Sequence, residues 1–247
     1  DGVNTVMCSF TVTVVDDEAP VLPDCSAGGL FGFGNQTINS DAGLCSVILG
    51  GFFPATDNCA LAAEAYIVFT RPDGSLYEET MTLVGGGYDL APAAYGVGQW
   101  QYLITVYDAA GNSSTCQGQF LVLDVELPQI DCAIPANPYS NTAGVCGYVA
   151  GTEFDPVNVS DNCPEFTYSH NYGAWSIPTS LAGAEFPVGT TTVVWTVEDA
   201  SGNTATCAID IVVVDSELPV FVNCPDTTFT IGADANCENG VIWSIPI

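Results

Sequence analysis

Basic side chains are almost absent from this sequence of 247 residues, which contains a single Lys or Arg, Arg71, and one histidine, His170. There are 29 acidic residues, so the formal net charge at neutral pH is −28. Binding to DNA, RNA or anionic lipid depends on Lys and Arg, because these side chains neutralise phosphate. The composition therefore excludes nucleic acid as a partner and disfavours attachment to an anionic membrane.

Other absences narrow the class of protein further. No apolar run approaches the roughly 18 residues of a membrane-spanning helix, and no signal peptide is visible. We therefore expect a mature extracytoplasmic segment without membrane insertion. The sequence contains no G-x-S-x-G, H-E-x-x-H or C-x-x-C motif. His170 alone could supply an imidazole, so we expect no catalytic residue, no zinc site and no enzyme activity.

Eleven cysteines are present, and their spacing identifies an internal repeat. An acidic phrase that ends in proline occurs three times, as V-D-D-E-A-P, L-D-V-E-L-P and V-D-S-E-L-P, ending at Pro20, Pro128 and Pro219. The cysteines that flank these phrases are separated by 17, 16 and 17 residues, at Cys8–Cys25, Cys116–Cys132 and Cys207–Cys224. Junctions of nearly constant length between interiors of variable length indicate modules joined in series.

Strand signals fall at the same place in each unit. The segments 99–107 and 190–197 are rich in β-branched and aromatic residues, and each ends at an Asp followed by a Gly-Asn turn. The segments 115–123 and 206–214 then form the second strand of a hairpin that leads into the acidic phrase. With 25 glycines and 15 prolines throughout, the pattern predicts a many-stranded, all-β fold.

The run F-P-V-G-T-T-T-V-V-W-T-V-E-D-A-S-G-N-T-A-T-C-A-I-D-I-V-V-V-D-S-E-L-P (186–219), followed by N-C-P, resembles the HYR module, or hyalin repeat. The resemblance implies tandem immunoglobulin- or fibronectin III-like β-sandwiches. It divides the chain into the end of one module (1–19), a longer divergent module (20–127), a second module (128–218) and the start of another (219–247). The first full copy departs from the pattern, with A-Y-G-V-G at 94–98 and D-C-S at 24–26.

The acidic phrases are candidate calcium sites. The Asp and Glu of each phrase are two residues apart and project to the same side of an extended strand. In a seven-stranded sandwich, the D-N-C loop and the Asp-Gly-Asn hairpin lie at the entry end of the following module. Calcium binds six to eight oxygens. We therefore expect Ca²⁺ at each junction, held by acids of the linker and of these loops: Asp16, Glu18, Asp57, Asp108, Asp124, Glu126, Asp161, Asp199, Asp215 and Glu217. The alternative is a solvated acidic linker in which Asp and Asn only cap turns.

Four cysteines in each module suggest disulfides, for which three pairings are possible. We favour the first with the fourth, because the entry strand and the start of the exit strand should lie at one end of a sandwich. The second and third then pair by elimination. The expected bonds are Cys25–Cys116, Cys45–Cys59, Cys132–Cys207 and Cys146–Cys163. Cys8, Cys224 and Cys237 should bond to cysteines outside the sequence or remain free.

The resemblance implies an extracellular or cell-surface protein with a structural or adhesive role. Its partners would be further copies of the module in the same chain, with possible self-association into fibres, and a surface glycan or protein as ligand. One alternative is a spacer or secretion-associated tail on an enzyme outside this segment. Another is a carbohydrate-binding module, which predicts a row of exposed aromatic rings with these candidates: Trp100, Tyr102, Tyr168, Tyr172 and Trp175.

Overall fold

The structure, a computed structural model, describes residues 7–25 and 35–219. The described residues form β-strands, turns and loops, and none of them lies in a helix. No helix that is long and apolar enough to cross a membrane occurs in these two ranges. The all-β prediction is confirmed. Two separate hydrophobic cores form, one within each of the ranges assigned to the first and second modules.

The first module contains one seven-stranded sheet with the strand order β1-β7-β6-β3-β4-β5-β2. Its strands are β1 (Gln36–Asn39), β2 (Ser46–Pro54), β3 (Leu61–Thr70), β4 (Leu76–Leu83), β5 (Gly87–Gly96), β6 (Gly98–Asp108) and β7 (Ser113–Leu123). Only two residue pairs join β4 to β5, whereas seven join β3 to β4. Side chains of β2 and β5 pack in one core with those of β3, β6 and β7, which gives the sandwich its two layers.

The second module is shorter and is built on the hairpin β14-β15. Its strands are β8 (Gln129–Asp131), β9 (Tyr139–Ser140), β10 (Gly147–Val149), β11 (Asn158–Ser160), β12 (Phe166–His170), β13 (Glu185–Pro187), β14 (Gly189–Asp199) and β15 (Thr204–Val214). A four-stranded sheet has the order β12-β14-β15-β9, and β10-β13 and β11-β8 form two small sheets. Strand β9 follows a cis Asn137-Pro138 peptide bond.

The predicted hairpins are confirmed and are a few residues longer than expected. Alternate residues of β6 point inward from Trp100 onward, and the last of these is Asp108. In β14 the same alternation ends at Asp199. A period of two thus buries a carboxylate at the end of each core, where the hairpin turn begins. This register places an acidic side chain at the junction end of each module.

Three disulfide bonds are present among the described residues. Cys25–Cys116 and Cys132–Cys207 each tie a module's entry segment to its exit strand, as in the first-with-fourth pairing. The third bond joins Cys45 to Cys163 and crosses from one module to the next. The expected pairs Cys45–Cys59 and Cys146–Cys163 are therefore wrong. Cys8, Cys59 and Cys146 are exposed free cysteines, while Cys224 and Cys237 lie outside the described residues.

The two ends of β7 explain this correction. The turn before Cys45 follows β1, whose Asn39 pairs with Leu123 at the exit end of β7. Cys59 precedes Ala60, whose carbonyl accepts a hydrogen bond from Ala109 at the entry end of the module. The eleven residues of β7 span about 33 Å at 3.3 Å per residue. The second and third cysteines of one module are thus at opposite ends, too far apart to bond.

Candidate functional site

The linker that leaves β7 turns inward at Asp124, which is only 4% exposed. Its Oδ1 accepts hydrogen bonds from the backbone N–H of Glu126 (3.2 Å) and from the Nδ2 of Asn162 (3.1 Å). The same Nδ2 lies 3.1 Å from the carbonyl oxygen of Leu44 in the first module. Asn162 therefore connects the second module both to the linker and to the first module.

The D-N-C loop brings a second carboxylate to this point. Asp161 accepts a hydrogen bond at Oδ1 from the backbone N–H of Cys163 (2.9 Å), which fixes its side chain. A carboxylate oxygen of Asp124, one of Asp161 and the Sγ of Cys163 all lie within 4.8 Å of one another. At that separation two carboxylates repel by about 3 kcal/mol at an effective dielectric of 20. Cys163 is disulfide-bonded, so the oxygens are the donors available to a cation.

Three buried oxygens at this junction have no hydrogen-bond donor in the described part of the chain. They are Oδ2 of Asp124, Oδ2 of Asp161 and Oδ1 of Asn162. Leaving a buried polar atom unpaired costs about 1–3 kcal/mol, and more when the group is charged. Three such acceptors from one linker and one loop, with two negative charges among them, have the chemistry of a site for a hard cation.

Asp199 has a different role, because its own turn occupies both of its oxygens. Oδ1 accepts from the backbone N–H groups of Ser201 and Asn203 (both 2.8 Å), and Oδ2 accepts from Asn203 Nδ2 (2.8 Å). That Nδ2 also donates to the backbone oxygen of Asp124 (3.2 Å). Gly202, with φ of 87°, supplies the left-handed residue that this turn requires. Asp199 thereby shapes the hairpin that holds the linker.

The first junction repeats part of this arrangement with equivalent residues. Carboxylate oxygens of Asp16, Asp57 and Asp108 lie within 4.8 Å of one another. The Oδ2 of Asp57 is buried without a partner. Asn112, at the position of Asn203, donates to the backbone oxygen of Asp16 (3.1 Å) and to Asp108 Oδ2 (2.7 Å). A cluster of carboxylates therefore occurs at both described junctions, whereas three unpaired buried oxygens occur together only at the second.

Hydrogen bonds and neighbouring charges shift two pKa values at the first junction. Burial on its own would raise the pKa of Asp108, but donors from Asn112 and from the backbone of the turn hold it below the ordinary aspartate value. The pKa of the Cys59 thiol is raised, first by its hydrogen bond to Asp16, then by partial desolvation and by nearby carboxylates. The Cys59 thiol therefore lies close to the carboxylates of Asp16, Asp57 and Asp108.

The glutamates of the acidic phrases accept hydrogen bonds from neighbouring turns and loops. Glu126 Oε1 accepts a hydrogen bond from the backbone N–H of Gly43 (2.7 Å), in the turn before Cys45. Glu217 accepts from Gly144 in the same way (2.8 Å). Glu18 Oε2 accepts from the side chain of Asn58 (2.8 Å). Each of these hydrogen bonds connects a glutamate of the linker to a neighbouring turn or loop.

The structure assembles part of the predicted ligand set. Asp124 meets Asp161, and Asp16 meets Asp57 and Asp108, whereas Asp199 and the glutamates bond to turns. Asp215 and Glu217 lie at the end of the described residues, where Asp215 Oδ1 accepts from the Glu217 N–H (3.0 Å). Sequence reasoning missed Asn162 as an oxygen donor. The repeated D-N-C motif was the available signal, because its asparagine recurs beside a predicted ligand.

Other candidate residues have structural roles. The Nε2 of His170 lies 2.8 Å from the backbone oxygen of Ile177, and its ring packs edge-on against Trp195. Arg71 stacks over the ring of Tyr77 in the hairpin that joins β3 to β4. The proposed carbohydrate-binding aromatics pack inward and do not form an exposed row. Trp100 and Tyr102 are buried in the first core, and the other three pack against the second: Tyr168, Tyr172 and Trp175.

Comparison with known proteins shows that the second module matches a known domain family. Residues 124–213 match the HYR domain family. Sushi, von Willebrand factor type A, EGF and pentraxin domain-containing protein 1 of Mus musculus is 30% identical over 164 residues, which is 60% of this chain. Hyalin of Strongylocentrotus purpuratus is 30% identical over 138 residues, or 55% of the chain. The chain spans only 4% and 11% of the lengths of these two relatives.

Two solved structures are similar at low sequence identity. Drosophila N-cadherin EC1-4 matches with a TM-score of 0.35 and 11% identity, over 80% of this chain and 50% of that one. A tetra-tandem repeat in the extending region of a large adhesion protein matches with a TM-score of 0.35 and 17% identity, over 70% and 47%. These scores are too low to support an argument about function. The family assignment rests on the sequence match alone: residues 124–213, which include Asp124, Asp161 and Asn162, belong to the HYR domain family.

Proposed function

We propose that this chain is a structural, adhesive-type segment of an extracellular repeat protein, in which calcium binds at each junction and holds successive modules in a fixed orientation. The observation that carries the proposal is the set of unpaired buried oxygens on Asp124, Asp161 and Asn162. These atoms come from the linker and from the following module, so an ion bound to all three would couple the two. No other group of the described residues combines negative charge with three unpaired buried acceptors.

The chemistry of the donors favours Ca²⁺ over other cations. Calcium accepts six to eight oxygen ligands in flexible geometry, and water can complete a site that offers three protein oxygens. Magnesium demands a smaller, nearly octahedral site, and zinc prefers nitrogen and sulfur. The bound ion would supply positive charge, which offsets the repulsion between Asp124 and Asp161. In the first junction the corresponding donors would be Asp16 and Asp57.

The extracellular setting is supported by the covalent structure and by the family. Disulfides form and persist in oxidising compartments, and three are present among the described residues. HYR modules, which the chain resembles, occur in extracellular adhesive proteins. Neither junction contains a catalytic constellation. A row of stiff modules would act by holding a binding region away from a surface or by assembling laterally, with further modules as partners and a glycan or protein as ligand.

Calorimetric titration with CaCl₂, after removal of divalent ions with EGTA, tests the calcium site. Saturation should raise the midpoint of thermal unfolding, because a ligand that binds only the folded state adds about 2.7 kcal/mol at 100 times its Kd. Asp161→Asn should reduce the binding heat and the shift. The control Glu78→Gln removes one charge from an exposed position on β4 and should change neither. Absence of heat and of a shift in the unsubstituted chain would refute the calcium site.

Small-angle X-ray scattering tests the mechanical part of the proposal. With calcium, the relative orientation of the two modules should be restricted, so the distribution of interatomic distances should narrow and its maximum should become sharper. EGTA should broaden the distribution. A distribution that does not respond to calcium, in a chain shown to bind the ion, would mean that the ion does not stiffen the junction.

A further inference from the structure

The Cys45–Cys163 bond joins equivalent elements of consecutive modules in a defined order. Cys45 is the second cysteine of its module, in A-G-L-C, and Cys163 is the third of the following one, in S-D-N-C. The bond runs beside the linker, close to Asp124 and Asp161. The first module therefore contributes its half of this bond at its exit end, and the second module contributes its half at its entry end.

Cys146 occupies the same structural setting as Cys45. Both cysteines follow a turn whose glycine has positive φ, 73° at Gly43 and 75° at Gly144. In each turn the glycine N–H donates to the glutamate of the next linker, Glu126 or Glu217, at 2.7 and 2.8 Å. The thiol of Cys146 is exposed and faces a groove of about 420 Å³ that Asp215 and Pro219 also line. The position that pairs Cys45 with the next module is thus built again one module later.

Cys59 occupies the setting of Cys163 at the opposite end. The backbone N–H of each donates to the aspartate two residues earlier, Asp57 or Asp161, at 2.9 Å. Both cysteines lie beside the carboxylates of their junction. Cys59 is exposed and has no disulfide partner among the described residues. It therefore presents the entry-side half of the same bond.

We propose that Cys146 bonds to the D-N-C cysteine of the module that Pro219 enters, and that Cys59 bonds to the A-G-x-C cysteine of the module before it. The repeat would then carry one disulfide across every junction, in addition to one within each module. In forming each bond, two thiols lose two protons and two electrons. A disulfide oxidant, such as oxidised glutathione or an oxidised dithiol oxidoreductase, accepts them and becomes two thiols.

This inference depends on the proposed repeat of modules but not on calcium, so the two can fail separately. The experiment is disulfide mapping of the native protein by mass spectrometry without reduction, after alkylation of free thiols. Pepsin is the suitable protease, because the single Lys or Arg, Arg71, is followed by Pro72, which blocks tryptic cleavage, and because low pH suppresses thiol exchange. The Cys146 peptide should be linked to a peptide that contains D-N-C and is not its own Cys163 peptide.

The 247-residue chain provides the matched control. In it, Cys45 should be linked to Cys163, while Cys59 and Cys146 should be alkylated. Cys163→Ser should make Cys45 alkylatable and leave the Cys132–Cys207 bond in place, which shows that the module is folded. Recovery of Cys146 linked to Cys163, or of alkylated Cys146 in the native protein, would overturn the proposal. A chain that binds no calcium but shows the expected links would refute only the calcium site.

Discussion

Cys45 and Cys163 form a disulfide bond across a module boundary, although 118 residues separate them in sequence. The polypeptide crosses the same boundary at Asp124, so two covalent connections join the modules. A single linker allows rotation about its own axis, and a second connection beside it restricts that rotation. The proposed stiffness of this junction would therefore have a covalent basis as well as an ionic one.

Removing this bond should weaken the coupling between modules. We expect the double variant Cys45→Ser/Cys163→Ser to unfold at lower urea concentration, with a loss of up to about 4.7 kcal/mol, the chain-entropy value for a loop of about 100 residues. Because the bond couples the unfolding of the two modules, its removal should let them unfold separately. A single unfolding transition should then separate into two. Urea titration followed by tryptophan fluorescence measures this, since each core contains a buried tryptophan: Trp100 or Trp195.

The matched control is Cys59→Ser/Cys146→Ser, which also removes two thiols. These cysteines are exposed and free in the described structure. The free energy of unfolding of this variant should therefore stay within about 0.5 kcal/mol of that of the unsubstituted chain. If the two double variants behaved alike, the bond would not couple the modules.

The strands that build the cores were predictable because their side chains alternate. Residues 190–197 predicted a strand from their β-branched content, and β14 spans Gly189–Asp199. The turn that follows was predictable from the Asp, Gly and Asn of D-A-S-G-N, because these residue types favour turns. The interior of the first module was less predictable, because β2 pairs with β5 across the intervening β3–β4 hairpin, and no motif shared by the modules marks these strands. Their pairing depends on contacts between residues distant in sequence.

The disulfide pairing illustrates why the site was only partly predictable. Elimination assumed that all four cysteines of a module bond within it, and spacing alone contains no information about which end of a strand each cysteine occupies. The D-N-C loop was correctly associated with the junction. The direction of Asn162, with one amide atom toward Leu44 and the other unpaired, results from packing between two modules. A pattern within one module does not encode that contact.

Asn162→Asp tests the third oxygen of the proposed calcium site. The substitution preserves shape, removes the donor to Leu44 and Asp124, and adds a carboxylate beside two others. In EGTA we expect a loss of about 1–3 kcal/mol, because a donor is lost and like charges repel. With calcium the loss should shrink, since calcium affinity rises with carboxylate count. Equal losses in both buffers, measured by thermal unfolding, would exclude Asn162 from the ion's coordination sphere.

Asn203→Ala tests how the hairpin holds the linker. Its side chain donates to the backbone oxygen of Asp124 and to Asp199 Oδ2, and both acceptors would lose that donor. We expect a loss of about 1–3 kcal/mol in the free energy of unfolding. Asn112→Ala should cost a similar amount at the first junction, because its contacts are equivalent. Unequal losses would show that the two junctions differ in stability despite their shared geometry.

The pair Tyr148 and Glu153 should make stability depend on pH at both extremes. The Tyr148 hydroxyl donates to Glu153 Oε1 (2.8 Å), and the Gly151 N–H donates to the same oxygen (3.1 Å). Burial alone would raise the pKa of Glu153, but these donors and its own backbone N–H lower it. Burial, followed by the bond to Glu153, raises the pKa of Tyr148 to about 12.

The signs of these shifts fix the expected profile. A depressed carboxyl pKa contributes stability that is fully present above the unfolded value, about 4.3, and is lost as pH falls through the folded value. A raised phenol pKa contributes stability that is fully present below about 10 and is lost as pH rises through the folded value. Near neutral pH, Glu153→Gln should therefore lower the free energy of unfolding by about 1 kcal/mol, a value discounted for the partial exposure of the pair. Urea titrations in EGTA from acid to alkaline pH should show this difference shrinking at both ends, and a constant difference would contradict the assignment.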